Sequence, residues 1–406
     1  MLLFVPFLRH LVRYGRLTVI DASGRPHLFD GKPLPEFRPV TVRLHDRRLH
    51  WRIVIEPSLA VGEAYMNGTL TIEEGTLHDF IALASENMTR ANPRFSFQER
   101  LSFLVRRLQQ WNRVQTSRRN VAHHYDLSDE LYKLFLDPDR QYSCAYFTAS
   151  DTTLEEAQQA KKYHIMSKLL LEPGQRILDI GCGWGGLALS IARHHDVEVT
   201  GITLSEQQLA VARRRAEEEQ LSHRVKFILA DYRQLADRFD RIVSVGMFEH
   251  VGVGNYGTFF RRMGELLNDK GIALLHAIGR SYGSGATNAW IRKYIFPGGY
   301  SPALSEVLSA VEVSGLRATD IEILRPTHYA DTLRHWRMRF EQQRAKAAAL
   351  YDERFCRMWE FYLSGSESAF RHQGLMVWQM QLAHHAEVLP ATRDYMAFAE
   401  TSYPHS

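Results

Sequence analysis

The pattern of hydrophobic positions along this 406-residue chain changes rhythm near residue 120. Upstream, the segments are short and mixed. Residues 49–55 (Leu-His-Trp-Arg-Ile-Val-Ile) alternate like a strand, with Pro57 placed to end it. Asn67-Gly68 marks a turn before a second strand-like run at 69–72, and 77–85 repeats at helical spacing. Downstream, short apolar runs recur at 176–180, 197–202, 225–229, 241–245 and 271–276. Helix-like stretches separate them; the one at 205–220 opens on Ser205, a residue suited to an N-cap. Residues 331–363 are rich in helix formers, and 375–382 end in period-two alternation that suits a late strand. Strands alternating with helices imply a parallel sheet. The expected fold is α/β, with a catalytic domain over 116–406 after a smaller α/β domain and linker helix over 1–115.

Composition narrows the class only a little. Hydrophobic residues at 45% and charged residues at 24% describe a globular protein with a large core. A formal charge of +4 is too small to imply nucleic acid. Cys144, Cys182 and Cys356 form no CxxC pair and have no zinc-like histidine spacing, which argues for a reducing compartment and against a structural metal. The apolar run from Met1 meets Arg9 and His10 too soon for a signal-peptide core. No stretch approaches the ~20 apolar residues of a membrane span. A soluble, cytoplasmic protein is expected.

The distribution of charge says more than its sum. Residues 90–119 hold eight arginines against one acid, Glu99, and Phe97, Leu101, Leu104, Leu108 and Trp111 recur there at helical spacing. A basic amphipathic helix of this kind suits anionic lipid. It equally describes a helix that packs its apolar stripe on its own protein, which is the commoner case.

The densest chemistry begins at 178–186 (Leu-Asp-Ile-Gly-Cys-Gly-Trp-Gly-Gly), between an apolar strand and a helix. Glycines there let the chain turn sharply and bring a ligand against the backbone. Gly181, Gly183 and Gly186 also satisfy the dinucleotide spacing, but that site needs an acid ending the second strand. Here the strand ends Thr200-Gly201-Ile202-Thr203. Asp179 with Gly185 at the third spacing fits the S-adenosylmethionine form of the loop instead.

Other clusters fall at strand ends and in the loops beyond. They are His123-His124-Tyr125-Asp126, residues 142–147 (Tyr-Ser-Cys-Ala-Tyr-Phe), residues 246–252 (Gly-Met-Phe-Glu-His-Val-Gly), His276-Ala277-Ile278-Gly279 and His328-Tyr329-Ala330-Asp331. Together with LDIGCGWGG and GITLSEQQ, these run in the order of the cyclopropane-fatty-acid synthase family, including the mycolic-acid cyclopropane synthases. The chain resembles that family over about residues 120–400. A weaker likeness at 62–68 (Gly-Glu-Ala-Tyr-Met-Asn-Gly) extends it to the amino-terminal domain of the longer bacterial synthases.

The resemblance implies a Rossmann-like class I methyltransferase domain with a mostly parallel seven-stranded sheet. It implies that a methylene group passes from S-adenosylmethionine to the cis double bond of phospholipid acyl chains, with C-methylation as the alternative outcome. A bound bicarbonate would act as base, held by Cys144, Glu249, His276, the Ile278 backbone and Tyr329. S-adenosylmethionine would be held by Tyr142, Ser143, Asp179, Gly181, Gly183, Thr203, Leu204 and Gln208. Tyr232 stands where the family often has a Trp beside the adenine, followed by Arg233 in place of the usual acid. The implied partner is a phospholipid bilayer, touched peripherally from the cytoplasmic side; a homodimer stays open. Because a methylated alkene leaves a carbocation, the π-faces of Tyr146 and Phe147 are expected to stabilise it.

Overall fold

The structure is a computed structural model that describes residues 3–91 and 127–404. The basic stretch from residue 92 onward and the cluster at 123–126 lie outside the described residues. Two compact units emerge. The first takes 3–91, Ala286–Pro297 and Ala330–Leu375; the second takes 127–285, Gly298–Tyr329 and 376–404. A single cut near residue 115 does not express this division, because two later segments pack with the amino-terminal residues.

In the first unit, β1 (Arg16–Ile20), β2 (Pro26–Asp30), β3 (Val40–Leu44) and β4 (Leu70–Glu74) form a sheet in the order β2-β1-β3-β4. Only the β1–β3 pair is parallel. Phe4, Leu8, Val19, Val42 and Phe80 are among the apolar side chains that close its core. Residues 49–55 are a helix, not the expected strand. Leu49, His50 and Ile53 are buried while Trp51 and Ile55 are exposed, a spacing of three to four that only a helix provides. Pro57 does not end a strand either. It opens the helix Pro57–Met66 at its first turn, where a missing N–H costs nothing. Gly62 in that helix is required by contact: a Cβ there would sit 2.4 Å from the Trp290 ring, whose Nε1 donates to Met66 Sδ at 3.1 Å. The helix-forming region after 331 consists of Pro326–Gln342, Arg344–Leu350 and Glu353–His372.

In the second unit, β5 (Arg176–Ile180), β6 (Glu198–Thr203), β7 (Val225–Leu229), β8 (Phe239–Val245), β9 (Leu267–Arg280), β10 (Arg317–Leu324) and β11 (Leu375–Ala383) form one sheet, ordered β10-β11-β9-β8-β5-β6-β7. The pairs β5–β6, β6–β7, β5–β8 and β8–β9 are parallel, and β10–β11 is antiparallel. The expected runs are strands because a sheet covered on both faces needs near-continuous apolar residues. Burial of Leu178, Ile202, Ile242 and Leu275 on one side and Ile177, Val199, Val243 and Leu274 on the other shows both coverings. Ser205 accepts from the Gln208 amide and caps the helix Glu206–Glu218. The run expected over 271–276 extends into the fourteen-residue β9, and the cluster His276–Gly279 falls at its carboxyl end. The late strand expected at 375–382 is β11, whose polar positions are also covered, since Gln379 and Gln381 are each 1% exposed. Chain order reverses between β5 and β8, so the crevice beyond their carboxyl ends is where such a sheet places a ligand.

Candidate functional site

That crevice is a cavity. Residues 181–184, 186 and 187 after β5, Thr203 at the end of β6 and Leu204 beyond it, Asp231 and Tyr232 after β7, and Gly246 and Met247 after β8 all line it. The segment Arg140–Ser143 closes another side. All nine residues expected at the cofactor stand on its wall: Tyr142, Ser143, Asp179, Gly181, Gly183, Thr203, Leu204, Gln208 and Tyr232. Two glycines show why the backbone is bare. Gly181 has φ +84°, and a Cβ there would lie 2.9 Å from Met247 Cβ. Gly183 has φ +54°, and its Cβ would meet no atom within 4 Å, so a side chain there would enter the open cavity.

Polar contacts fix the remaining wall. Thr203 Oγ1 donates to Gln208 Oε1 at 2.9 Å. Buried Lys161 donates to Gln141 Oε1 at 2.6 Å and to Ser143 Oγ at 2.8 Å; burial lowers its pKa to about 8. Arg233 turns onto Asp231, with Nη2 2.6 Å from Oδ2, and its guanidinium lies over the Tyr232 ring. The basic residue in the acid's place therefore makes its own local pair. Asp179 is 2% exposed, with Oδ2 lacking any hydrogen-bond partner among the described residues. Burial pushes its pKa up to about 7, against a smaller lowering by Lys161. A buried acceptor without a partner suits a ligand that brings N–H donors or positive charge, and S-adenosylmethionine carries both.

Asp179 makes a testable contribution to stability. It ionises near 3.8 in an unperturbed chain and near 7 in the fold. Between those values the folded protein holds a proton that the unfolded chain has lost, so stability falls as pH rises through that window. Asp179→Asn has no such proton. In ligand-free thermal melts its Tm should gain steadily on the wild type from about pH 4 to about pH 8. Histidines with lowered pKa values shift both proteins alike. A pH-independent difference would refute the raised pKa.

Beside the cavity lies the second group of expected residues. Met247, His250 and Val251 line the cavity, and Glu249 stands among them on the turn Phe248–His250. The Ile278 amide donates to Glu249 Oε1 at 2.6 Å, which joins β9 to the turn. Glu249 Oε2 is buried without a hydrogen-bond partner among the described residues. Burial raises this carboxyl to about 7 despite the Ile278 amide, and burial lowers neighbouring His250 to about 4. His276, two residues before Ile278, accepts at Nδ1 from Gln379 Nε2 at 3.1 Å; burial holds its pKa well below the ordinary range. Cys144 is 1% exposed, and burial raises its thiol pKa. Tyr329 is half-buried in the first turn of Pro326–Gln342. Contacts thus join Glu249 with Ile278 directly, whereas His276 follows from strand register.

The expected carbocation role of Tyr146 does not survive. Its ring stacks on His164 at 4.3 Å and on His328 at 4.8 Å, nearly parallel to both. Two rings fit at those distances only on opposite faces, so neither π-face is free. Phe147 is tied to the same place, its amide donating to His328 Nδ1 at 3.1 Å. Sequence reasoning also missed Gln141 and Asp231 on the cavity wall, Lys161 bonded to that wall, and Lys168 and Gln379 linked to His276. Gln141 and Asp231 adjoin residues that were singled out; the other three carry no local signal.

The parallel sheet, its reversal point and a glycine-lined cavity with a buried acid define a class I S-adenosylmethionine-dependent methyltransferase. The family model "Mycolic acid cyclopropane synthetase" matches residues 112–380. The chain belongs to that family. It is 38% identical over 96% of its length to a "Probable fatty acid methyltransferase" of Pseudomonas putida, covering 98% of that protein. It is also 38% identical to the "Cyclopropane-fatty-acyl-phospholipid synthase" of Escherichia coli (strain K12), over 86% of this chain and 89% of that one. The solved structure of the cyclopropane synthase MmaA2 from Mycobacterium tuberculosis superposes with TM-score 0.63 at 37% identity, covering 66% of this chain and 98% of that one. Among the described residues no helix is long and apolar enough to cross a membrane.

Proposed function

We propose that this enzyme methylates the cis double bond of unsaturated phospholipid acyl chains and closes the product to a cyclopropane ring. The observation that carries the reading is Glu249, a buried carboxyl beside the cofactor cavity, with one oxygen on the Ile278 amide and the other without a described partner. Methyl transfer to an amine or alcohol leaves an acidic proton that water can take. An alkene is different. Its π electrons form the new C–C bond as the C–S bond breaks, and a carbocation remains. Loss of a proton from the new methyl then returns the C–H pair to close the ring, which calls for a base inside the dry site.

S-adenosylmethionine supplies the electrophilic sulfonium methyl. Tyr142, Ser143, Asp179 and the 181–187 loop would hold it in line with the alkene. Bicarbonate fits the second group as the base. Cys144 stays a thiol, His276 stays neutral and Glu249 is partly protonated near neutrality. His276 and the protonated form of Glu249 can therefore offer donors to one anion without adding a second full charge, whereas the Cys144 thiol donates to the Ala145 carbonyl at 3.3 Å and would have to turn from it. The Ile278 amide is given to Glu249 Oε1, so its share in holding an anion would pass through that carboxyl. Tyr329 is the fifth group of this proposed set.

The alternative is C-methylation without ring closure, and the name of the Pseudomonas putida relative favours keeping it. One experiment separates them. Purified protein, S-adenosylmethionine and vesicles of unsaturated phospholipid are incubated, and the acyl chains are analysed by mass spectrometry. A gain of CH2 with loss of the alkene signal is expected. A gain with the alkene retained means C-methylation, and no gain with the cofactor bound sinks both readings. Peripheral membrane contact belongs to the same proposal and rests on the arginine excess at 90–119. Binding to anionic vesicles should weaken as salt rises through the physiological range.

A further inference from the structure

We infer that Lys168 and Gln379 set the tautomer of His276, so that this imidazole carries its proton on Nε2 and offers an N–H donor to the acid–base site. The two are positioning residues, and their importance to turnover rests on the function proposed above. Gln379 is buried in β11 between two partners. Its Oε1 lies 2.6 Å from Lys168 Nζ, and its Nε2 lies 3.1 Å from His276 Nδ1. An ammonium has only N–H to give, so the amide must turn its oxygen to Lys168. The amide NH2 then faces His276, and it too can only donate. Nδ1 must accept, and so it carries no proton.

The charge state of the ring completes the argument. Burial, reinforced by the positive Lys161 and Lys168, keeps His276 neutral. A neutral imidazole has one proton, and with Nδ1 occupied by a donor that proton sits on Nε2. The opposite tautomer would place two donors face to face, either at the imidazole or, after an amide flip, at the lysine. Each arrangement leaves buried donors unpaired, which is unfavourable.

Lys168 is itself held in place. It pairs with Glu322, the cross-strand neighbour of Gln379 in the β10–β11 ladder. Glu322 also meets His164 Nε2 at 2.7 Å, while His164 Nδ1 meets Glu400. Burial raises Glu322, but His164 and Lys168 outweigh it and bring its pKa to about 2. Burial lowers the pKa of Lys168, but the ionised Glu322 beside it opposes that shift and favours an ammonium facing the amide. A polar chain running from helix Leu154–Leu169 through two strands thus ends on one ring nitrogen of His276.

Long-range 15N–1H correlation spectra of protein labelled at histidine test this directly, with the His276 signals assigned by their loss in His276→Gln. The wild type should show a neutral ring protonated at Nε2 near pH 7. A ring protonated at Nδ1, or an imidazolium, overturns the inference. Gln379→Glu puts a carboxylate between Lys168 and His276 that accepts from both. The ring should switch to Nδ1–H, and kcat should fall ~10-fold or more with S-adenosylmethionine affinity unchanged. A ring that keeps Nε2–H in this variant, or full turnover from a switched ring, also overturns it. Wild-type protein that makes no lipid product would instead defeat the proposed function, while the spectrum still decides the tautomer.

Discussion

Glu249→Gln should fold as the wild type does, bind S-adenosylmethionine as tightly, and lose ~10²-fold or more in kcat. The amide oxygen of the variant can accept from the Ile278 N–H in place of Oε1, so the turn keeps its tie to β9. Its backbone contact is untouched too, since the Glu249 carbonyl accepts from the Tyr300 amide at 2.9 Å. What the variant lacks is a proton that can be gained and lost near neutrality, which a carboxyl raised to about 7 possesses. Steady-state kinetics on unsaturated phospholipid vesicles, with calorimetry for the cofactor, measure both halves. Wild-type turnover from the variant would reduce Glu249 to a structural link.

The second large effect is expected at the cofactor loop. Gly183→Val should abolish measurable S-adenosylmethionine binding, a loss of at least ~10²-fold in affinity, equivalent to about 3 kcal/mol. Two causes act together. At φ +54° a β-branched residue is strained, and the open space around the new Cβ belongs to the cavity. Gly183→Ala should do less harm, because a methyl group intrudes less and αL costs it less. Isothermal calorimetry on protein shown to be folded by its melting curve reads the difference. Undiminished affinity in a folded valine variant would move the cofactor to another part of the molecule.

Much of the second unit was legible because its strands are covered on both faces and appear as unbroken apolar runs. The cavity was legible for a related reason. Its ligand-facing residues sit in the loops after β5, β6, β7 and β8, each within a few positions of a strand that could be recognised. The failures have physical causes. Residues 49–55 match a two-residue period in their letters, yet packing on a neighbouring sheet exposes Trp51 and buries Ile53, and tertiary contact overrides local pattern there. The aromatic character of Tyr146 suggested a free π-surface, but the fold stacks His164 and His328 on its two sides. Lys168 and Gln379 are 211 positions apart, and each alone reads as an ordinary polar residue. Their joint meaning is in the direction of two hydrogen bonds.

Trp290 against Gly62 has a consequence for anyone wishing to trim this enzyme. Residues 3–91 look like a detachable module in a linear diagram. In the folded chain they are stitched to Ala286–Pro297 and Ala330–Leu375, segments encoded far downstream. Deleting them would uncover the Trp290 indole and the face of Glu353–His372 that lies on Leu77–Ala91 and Pro57–Met66. A minimal catalytic protein would have to be recoated with polar residues on those surfaces, because the gene cannot simply be shortened from its start.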